Sequence, residues 1–257
     1  TRPLTPSDDY EIPTPEPAGQ SWQGVSPARA FVRGLAVGLS VPGVILFASA
    51  AGYGALARDA GFSLFNSIYM MGIFFALPAQ VLMLDQIARG GSLAASAFAV
   101  TLTGIRLLPM GALLMPLLKG PRVRYWQYLV AAHFVAVTAW IEGWRRLPSV
   151  PVSLRMEHFI GIGTAMLAST LLGTAVGYEV AGTVPTVIAA ALLFLTPVYF
   201  LLSLLATASE FSDKAAIVFG VALGPPFYLL APGFDLLLAG VIGGTLARVL
   251  ARRRTSP

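Results

Sequence analysis

Cysteine is absent from this sequence, which excludes disulfides, thiolate metal ligands and cysteine nucleophiles. Histidine is almost absent: His133 and His158 stand alone, too few and too far apart to suggest a metal site. Charge is scarce. Asp, Glu, Lys and Arg together make up 11% of the chain, against about 25% in ordinary soluble domains. The residue patterns of serine hydrolases, zinc proteases, phosphate-binding loops and dinucleotide-binding folds are also missing. No enzyme template is met, no catalytic residue stands out and no cofactor is implied.

What remains is apolar. Hydrophobic residues make up 56% of the chain, and the few charges cluster, leaving long neutral runs over residues 34–57, 60–84, 90–118, 125–141, 159–178, 180–209 and 215–234. A weaker run covers 234–250. Each is near or above the roughly 17–25 residues that a spanning helix needs. The sequence therefore predicts an all-α, polytopic transmembrane helix bundle of seven or eight spans, occupying residues 29–257. Residues 1–28 carry Pro3, Pro6, Pro13, Pro15, Pro17 and Pro27 and no sustained apolar run. Such a composition cannot bury a core and predicts a disordered, Pro-rich cytoplasmic tail rather than a signal peptide. The basic residues flank spans instead of covering a soluble face, so the partner surface is the lipid bilayer and not nucleic acid.

Arg29 and Arg33 before the first run favour an internal N-terminus, and Arg89, Arg145, Arg146, Arg155, Lys214 and Arg252–Arg254 fall on the same side. Lys119, Arg122 and Arg124 fall on the other and oppose this orientation. The conflict is resolved either by a tolerated exception or by a run 90–118 that does not simply cross the membrane.

Within that run Arg106 is the only charged residue. A guanidinium stays protonated there, at a cost of at least a few kcal/mol at mid-depth. Two readings stand side by side: Arg106 binds a substrate carboxylate, or it is caged by carbonyls or a partner charge at a helix break. Gly104 and Pro109 flank it and make such a break plausible. Gln80 follows Pro78, and its amide can satisfy carbonyls freed at a kink or contact a ligand. His133 is a proton-relay candidate, because its pKa is easily moved across the working range; the alternative is an ordinary hydrogen bond between helices. Asp85, Glu142 and Glu179 lie near run ends and are expected to face water, and Trp126, Trp140 and Trp144 to anchor at the interface.

An internal repeat is also legible. Ala60-Gly61 recurs as Ala181-Gly182, and Phe75-Ala76-Leu77-Pro78 as Phe194-Leu195-Thr196-Pro197. It predicts a duplication of three or four helices, with Pro78, Pro109, Pro197 and Pro225-Pro226 marking broken helices. The pairs Gly34/Gly38, Gly173/Gly177, Gly220/Gly224 and Gly240/Gly244 predict close helix packing.

Several segments in order resemble one family. Gly52-Tyr53-Gly54-Ala55-Leu56-Ala57 followed by Ala60-Gly61-Phe62-Ser63, then Ala79-Gln80, then Thr103-Gly104-Ile105-Arg106-Leu107-Leu108-Pro109 resemble AzlC-type permeases, from about residue 29 onward. In the last segment the family's Asn-x-Arg-His pattern keeps its Arg but not its Asn or His, and its acidic pair is replaced around Thr138-Ala139-Trp140. The resemblance implies the larger subunit of a branched-chain amino acid exporter in the bacterial inner membrane, working with a small AzlD-type membrane subunit. The expected substrate is a neutral amino acid, bound by Arg106, Gln80, Pro78, Thr103 and Pro109, with export driven by the proton gradient. The competing readings are a non-transporting membrane scaffold and a permease for another small carboxylate.

Overall fold

The computed structural model describes residues 22–88, 97, 100–101, 104–105, 107–121, 123–181, 183, 185–208, 211–230 and 235–255. Every regular element among them is helical. In chain order these are α1 (Pro27–Leu39), α2 (Val41–Asp59), α3 (Leu64–Ile73), α4 (Leu77–Ala88), α5 (Leu107–Leu117) and α6 (Tyr125–His133). They continue with α7 (Val137–Arg146), α8 (Arg155–Val180), α9 (Thr186–Thr207), α10 (Phe211–Leu230) and α11 (Asp235–Thr255).

Local chemistry sets the starts and stops. Ser26 caps α1 by accepting from Arg29 N–H, and Ser63 caps α3 by accepting from Asn66 N–H at 3.2 Å. Pro42 lies in the first turn of α2, where its missing N–H costs nothing, and it ends α1 at Ser40. Gly61 adopts φ +82°, the left-handed turn that closes α2, a conformation few other residues take up without strain.

The centre is α8, 26 residues long, against which α1, α2, α3 and α7 pack. Glycine permits the closest approaches. A Cβ at Gly34 would run into the His158 carbonyl, one at Gly173 into the Phe47 carbonyl and one at Gly177 into the Ala51 carbonyl. Two of the four glycine pairs thus lie at helix crossings, whereas a Cβ added at Gly220, Gly224, Gly240 or Gly244 would meet no described atom within 4 Å. The core around this axis contains Tyr53, Met71, Leu114, Phe159, Ile162 and Met166. Outside it, α9 lies on α2, and α10 and α11 pair with each other. Val187, Phe194, Leu202, Val218, Leu229 and Val241 point outward uncovered, as lipid-facing side chains do.

Three segments are long and apolar enough to cross a membrane: Val41–Asp59, Val152–Val180 and Phe211–Leu230. Shorter apolar helices accompany them at Leu64–Ile73, Leu107–Leu117 and Leu238–Ala251. The count of seven or eight spans is not reproduced by this criterion among the described residues. One reason is that two runs which read as single spans are each divided into half-helices. The run 60–84 breaks at residues 74–76 and the run 125–141 at residues 134–136. Most of 90–106 lies outside the described residues.

The proposed repeat does not carry over into secondary structure. Phe75-Ala76-Leu77-Pro78 straddles a break, but Phe194 and Pro197 lie inside the continuous helix α9, and Pro225-Pro226 inside α10.

A buried cation organises one end of the bundle. Arg155 donates from Nε to the Val150 carbonyl at 2.9 Å, from Nη1 to Leu117 at 3.4 Å and from Nη2 to Pro148 at 3.3 Å. This is a carbonyl cage of the kind considered above for Arg106, built instead at the start of α8. Arg155→Met should cost about 3 kcal/mol, because charge-assisted hydrogen bonds are lost and three carbonyls are orphaned. Arg155→Lys should restore only part of that, since an ammonium lacks the planar fork. Thermal unfolding of the purified protein checks the order wild type, Lys, Met.

Candidate functional site

Two interrupted helices meet at the heart of the fold. The first interruption follows from Pro78. Its ring excludes the carbonyl four residues earlier, that of Phe74, from the helical ladder. Phe74 accordingly leaves the helix at φ −106°, ψ 79°. Gln80 repairs the damage: its Nε2 donates to the Phe74 carbonyl and to the Met70 carbonyl at 3.2 Å. Gln80 is 1% exposed, and its Oε1 has no hydrogen-bond partner among the described residues. Of the two roles open for Gln80, satisfying the break is therefore realised by its amide nitrogen, and the oxygen is left over.

The second interruption contains no proline. Phe134 turns out of α6, and Ala136 is extended at φ −113°, ψ 162° before α7 begins. The Phe134 ring lies in the notch above Gly163 of α8.

Between the breaks lies a small cavity of about 30 Å³. Phe75, Ala76, Leu77 and Pro78 line it from the first break, and Ala136, Val137 and Thr138 from the second. Leu46, Met71 and Leu107 close it with aliphatic surface, and Thr170 adds a hydroxyl. That hydroxyl is already committed to the Leu167 carbonyl at 2.7 Å. A volume of this size admits water, and it is well below the ~300 Å³ of a small-molecule site. Admission of a solute requires the walls to separate.

The sequence-derived site residues fare unequally. Pro78 lines the cavity and Gln80 lies two residues further along α4. Pro109 is exposed, in the first turn of α5. Arg106 and Thr103 lie outside the described residues; Leu107, the neighbour of Arg106, is in the cavity wall. His133 ends α6 with its side chain exposed, its ring 5.6 Å from that of Phe134, and it does not line the cavity. The side chain of Asp85 is not among those described.

One expectation is overturned. Glu142, read as facing water, is 2% exposed. It is held by Arg146 Nε at 2.7 Å and Arg145 Nη1 at 3.5 Å, both on the next turn of α7. The i,i+3 and i,i+4 spacing places both guanidinium groups over the carboxylate and supplies the compensation that burial demands. Trp140 and Trp144 also differ from simple interfacial anchors. Their rings stack at 6.3 Å and line a second, larger cavity of about 600 Å³ between α7 and α9–α11, bordered by Gly220 and Gly240.

Sequence reasoning gave no site role to Thr138 or His158 and did not foresee the second break. His158 is 3% exposed; its Nδ1 donates to the Ala30 carbonyl at 3.1 Å and Trp22 meets its ring edge-on. Thr138 is 1% exposed and lines the cavity. A hydroxyl-bearing residue two positions into α7 was readable only once the start of α7 was known.

Comparison with known proteins yields one match. A family model described as AzlC protein matches residues 42–184, more than half of the chain. No curated protein and no solved structure matches. Every residue lining the smaller cavity falls within the matched segment, whereas the α9, α10 and α11 walls of the larger one fall outside it.

Proposed function

The chain belongs to the AzlC family, and from that premise we propose that it exports branched-chain or similar neutral amino acids across the bacterial inner membrane. The membrane transporter role follows from the family and the apolar helices. The observation that carries the finer reading is the meeting of two helix breaks at a cavity. Interrupted helices free backbone polar groups inside an apolar bundle, and solute-binding sites of secondary transporters are built in this way. The aliphatic lining of Leu46, Met71 and Leu107 suits an apolar side chain.

In this proposal Arg106 holds the substrate carboxylate, with Thr103 and Pro109 from the same segment and Pro78 and Gln80 across the cavity completing the site. The unpartnered Gln80 Oε1 is an acceptor suited to the substrate ammonium. Export is coupled to the proton gradient, with His133 as the relay, and a small AzlD-type membrane subunit is the partner.

Counterflow of labelled leucine, valine and methionine in proteoliposomes, with and without that subunit, tests the reading. Arg106→Ala should lower flux at least about thirtyfold, the loss expected when one partner of a buried charge pair is removed, while membrane insertion is unchanged. Counterflow of none of the three amino acids in either preparation would remove the substrate class. Normal flux through Arg106→Ala would remove the role of the arginine.

A further inference from the structure

The two half-helices that open at the cavity differ at their N-termini. At α4 the start is closed on itself: Ala79 N–H and Gln80 N–H both donate to the Ala76 carbonyl, and Pro78 has no N–H. At α7 it is open. The first intrahelical bond runs from Trp140 N–H to the Ala136 carbonyl at 2.8 Å, so the N–H groups of Val137, Thr138 and Ala139 precede it. No side chain among the described residues caps them, and Ala136 in the cap position has none to offer. Donors of this kind at the positive end of a ten-residue helix favour an anion.

A second, independent feature points to a ligand at the same place. The side chain of Thr138 is 1% exposed, lines the cavity and makes no hydrogen bond to any described residue. A hydroxyl inside an apolar bundle is better placed when it has a partner, and a ligand oxygen entering the cavity supplies one. Thr170, across the cavity, shows the usual remedy, bonding to its own helix; Thr138 does not. Nor does α7 repel an anion through Glu142, since Arg145 and Arg146 meet that charge.

We infer that the open N-terminus of α7, together with the Thr138 hydroxyl, is a carboxylate subsite of the cavity between the two helix breaks. The inference rests on the transport reading for the identity of the solute, but not for the existence of the subsite. A carboxylate has about four acceptor positions, so the α7 donors bind it in addition to Arg106, supplying directional hydrogen bonds where the arginine supplies charge. The apolar side chain of the solute then lies toward Leu46, Met71 and Leu107.

The absence of cysteine makes the test direct. Thr138→Cys places one thiol at the subsite in the whole chain, and Ser153→Cys one on an exposed residue of the short 3-10 turn Val152–Leu154 as reference. Each is reacted in proteoliposomes with a negatively charged sulfonatoethyl and a positively charged trimethylammonioethyl methanethiosulfonate; the thiolate forms a mixed disulfide and methanesulfinate leaves. Relative to Ser153→Cys, the Thr138→Cys thiol should prefer the anionic reagent by about tenfold, in keeping with a helix N-terminus in a partly buried site. That preference should persist, though reduced, when Arg106→Gln is added. Leucine should protect the thiol and leucinamide, which lacks the carboxylate, should not.

Equal rates with the two reagents would overturn the subsite. So would failure of both to react, since a ligand site must open, and so would loss of the whole preference on Arg106→Gln. An anionic preference without protection by leucine, valine or methionine would leave the subsite standing and remove the amino acid reading. Because a substitution at a packed position can disturb folding, Thr138→Ser and Thr138→Val are compared as well. Serine should keep leucine counterflow within about threefold and valine, equal in shape but without the donor, should lose about tenfold, the weight of one buried hydrogen bond. Equal flux through both would count against the hydroxyl.

Discussion

Gly163→Val should abolish transport and sharply reduce the yield of monodisperse protein. A Cβ at this position would stand 2.5 Å from the Phe134 Cβ and 2.7 Å from its Cδ2, with the ring Cγ closer still. Neither partner can yield easily: Gly163 is in the middle of α8, and Phe134 is the residue at which α6 turns out of the helix. Overpacking a tight core position costs about 1–3 kcal/mol even where neighbours can relax, and here the relaxation would displace residues 134–136 and with them the cavity wall. Size-exclusion profiles, thermal unfolding and leucine counterflow of Gly163→Val and Gly163→Ala report the effect, with alanine intermediate. Adding Phe134→Ala should recover folding of Gly163→Ala but not its transport, because space is restored and the break is not. Additive effects of the two substitutions would show that the ring and the glycine are uncoupled.

Gln80→Leu comes second in expected size. Leucine keeps the volume and removes the amide that satisfies the Met70 and Phe74 carbonyls. Two buried acceptors then lose their partner, at about 1–3 kcal/mol each. Gln80→Glu should be no better, since an ionised carboxylate donates nothing to those carbonyls and adds charge to a buried position. The measurement separates the two roles open to this residue. A lower unfolding temperature together with lost flux assigns Gln80 to holding the break. Lost flux at an unchanged unfolding temperature assigns it to the solute through its free oxygen. An unchanged temperature and normal flux would dismiss both roles.

The two breaks differ in how far they could be foreseen, and the difference is physical. The break at residues 74–76 announces itself, because proline chemistry is local and the amide that repairs it follows two residues later. The break at 134–136 has no such mark. Phe134, Val135 and Ala136 are compatible with a continuous apolar span, and only the notch at Gly163, nearly thirty positions away, gives the Phe134 ring a place outside the helix. Conversely, Pro197 and Pro225-Pro226 read as breaks and lie within continuous helices. A transmembrane helix tolerates proline where neighbouring groups satisfy the freed carbonyls. The glycine pairs divide in the same way: at Gly34/Gly38 and Gly173/Gly177 an added Cβ would strike another helix, while at Gly220/Gly224 and Gly240/Gly244 it would meet no described atom within 4 Å.

Glu142 makes the same point about charge. A lone acid at the end of an apolar run reads as water-facing, and here two arginines on the following turn let it be buried.

Composition and order alone determined that this protein is helical, lives in a membrane, has no cysteine to supply thiol chemistry and resembles one transporter family. Those properties depend on how much apolar surface the chain must hide and on motifs a few residues long. Tertiary structure alone decided where the second helix breaks, which polar groups face the cavity and which are consumed in holding the fold. Those outcomes depend on contacts between residues far apart in the chain, such as Phe134 with Gly163 and Arg155 with Leu117, whose geometry no local pattern records.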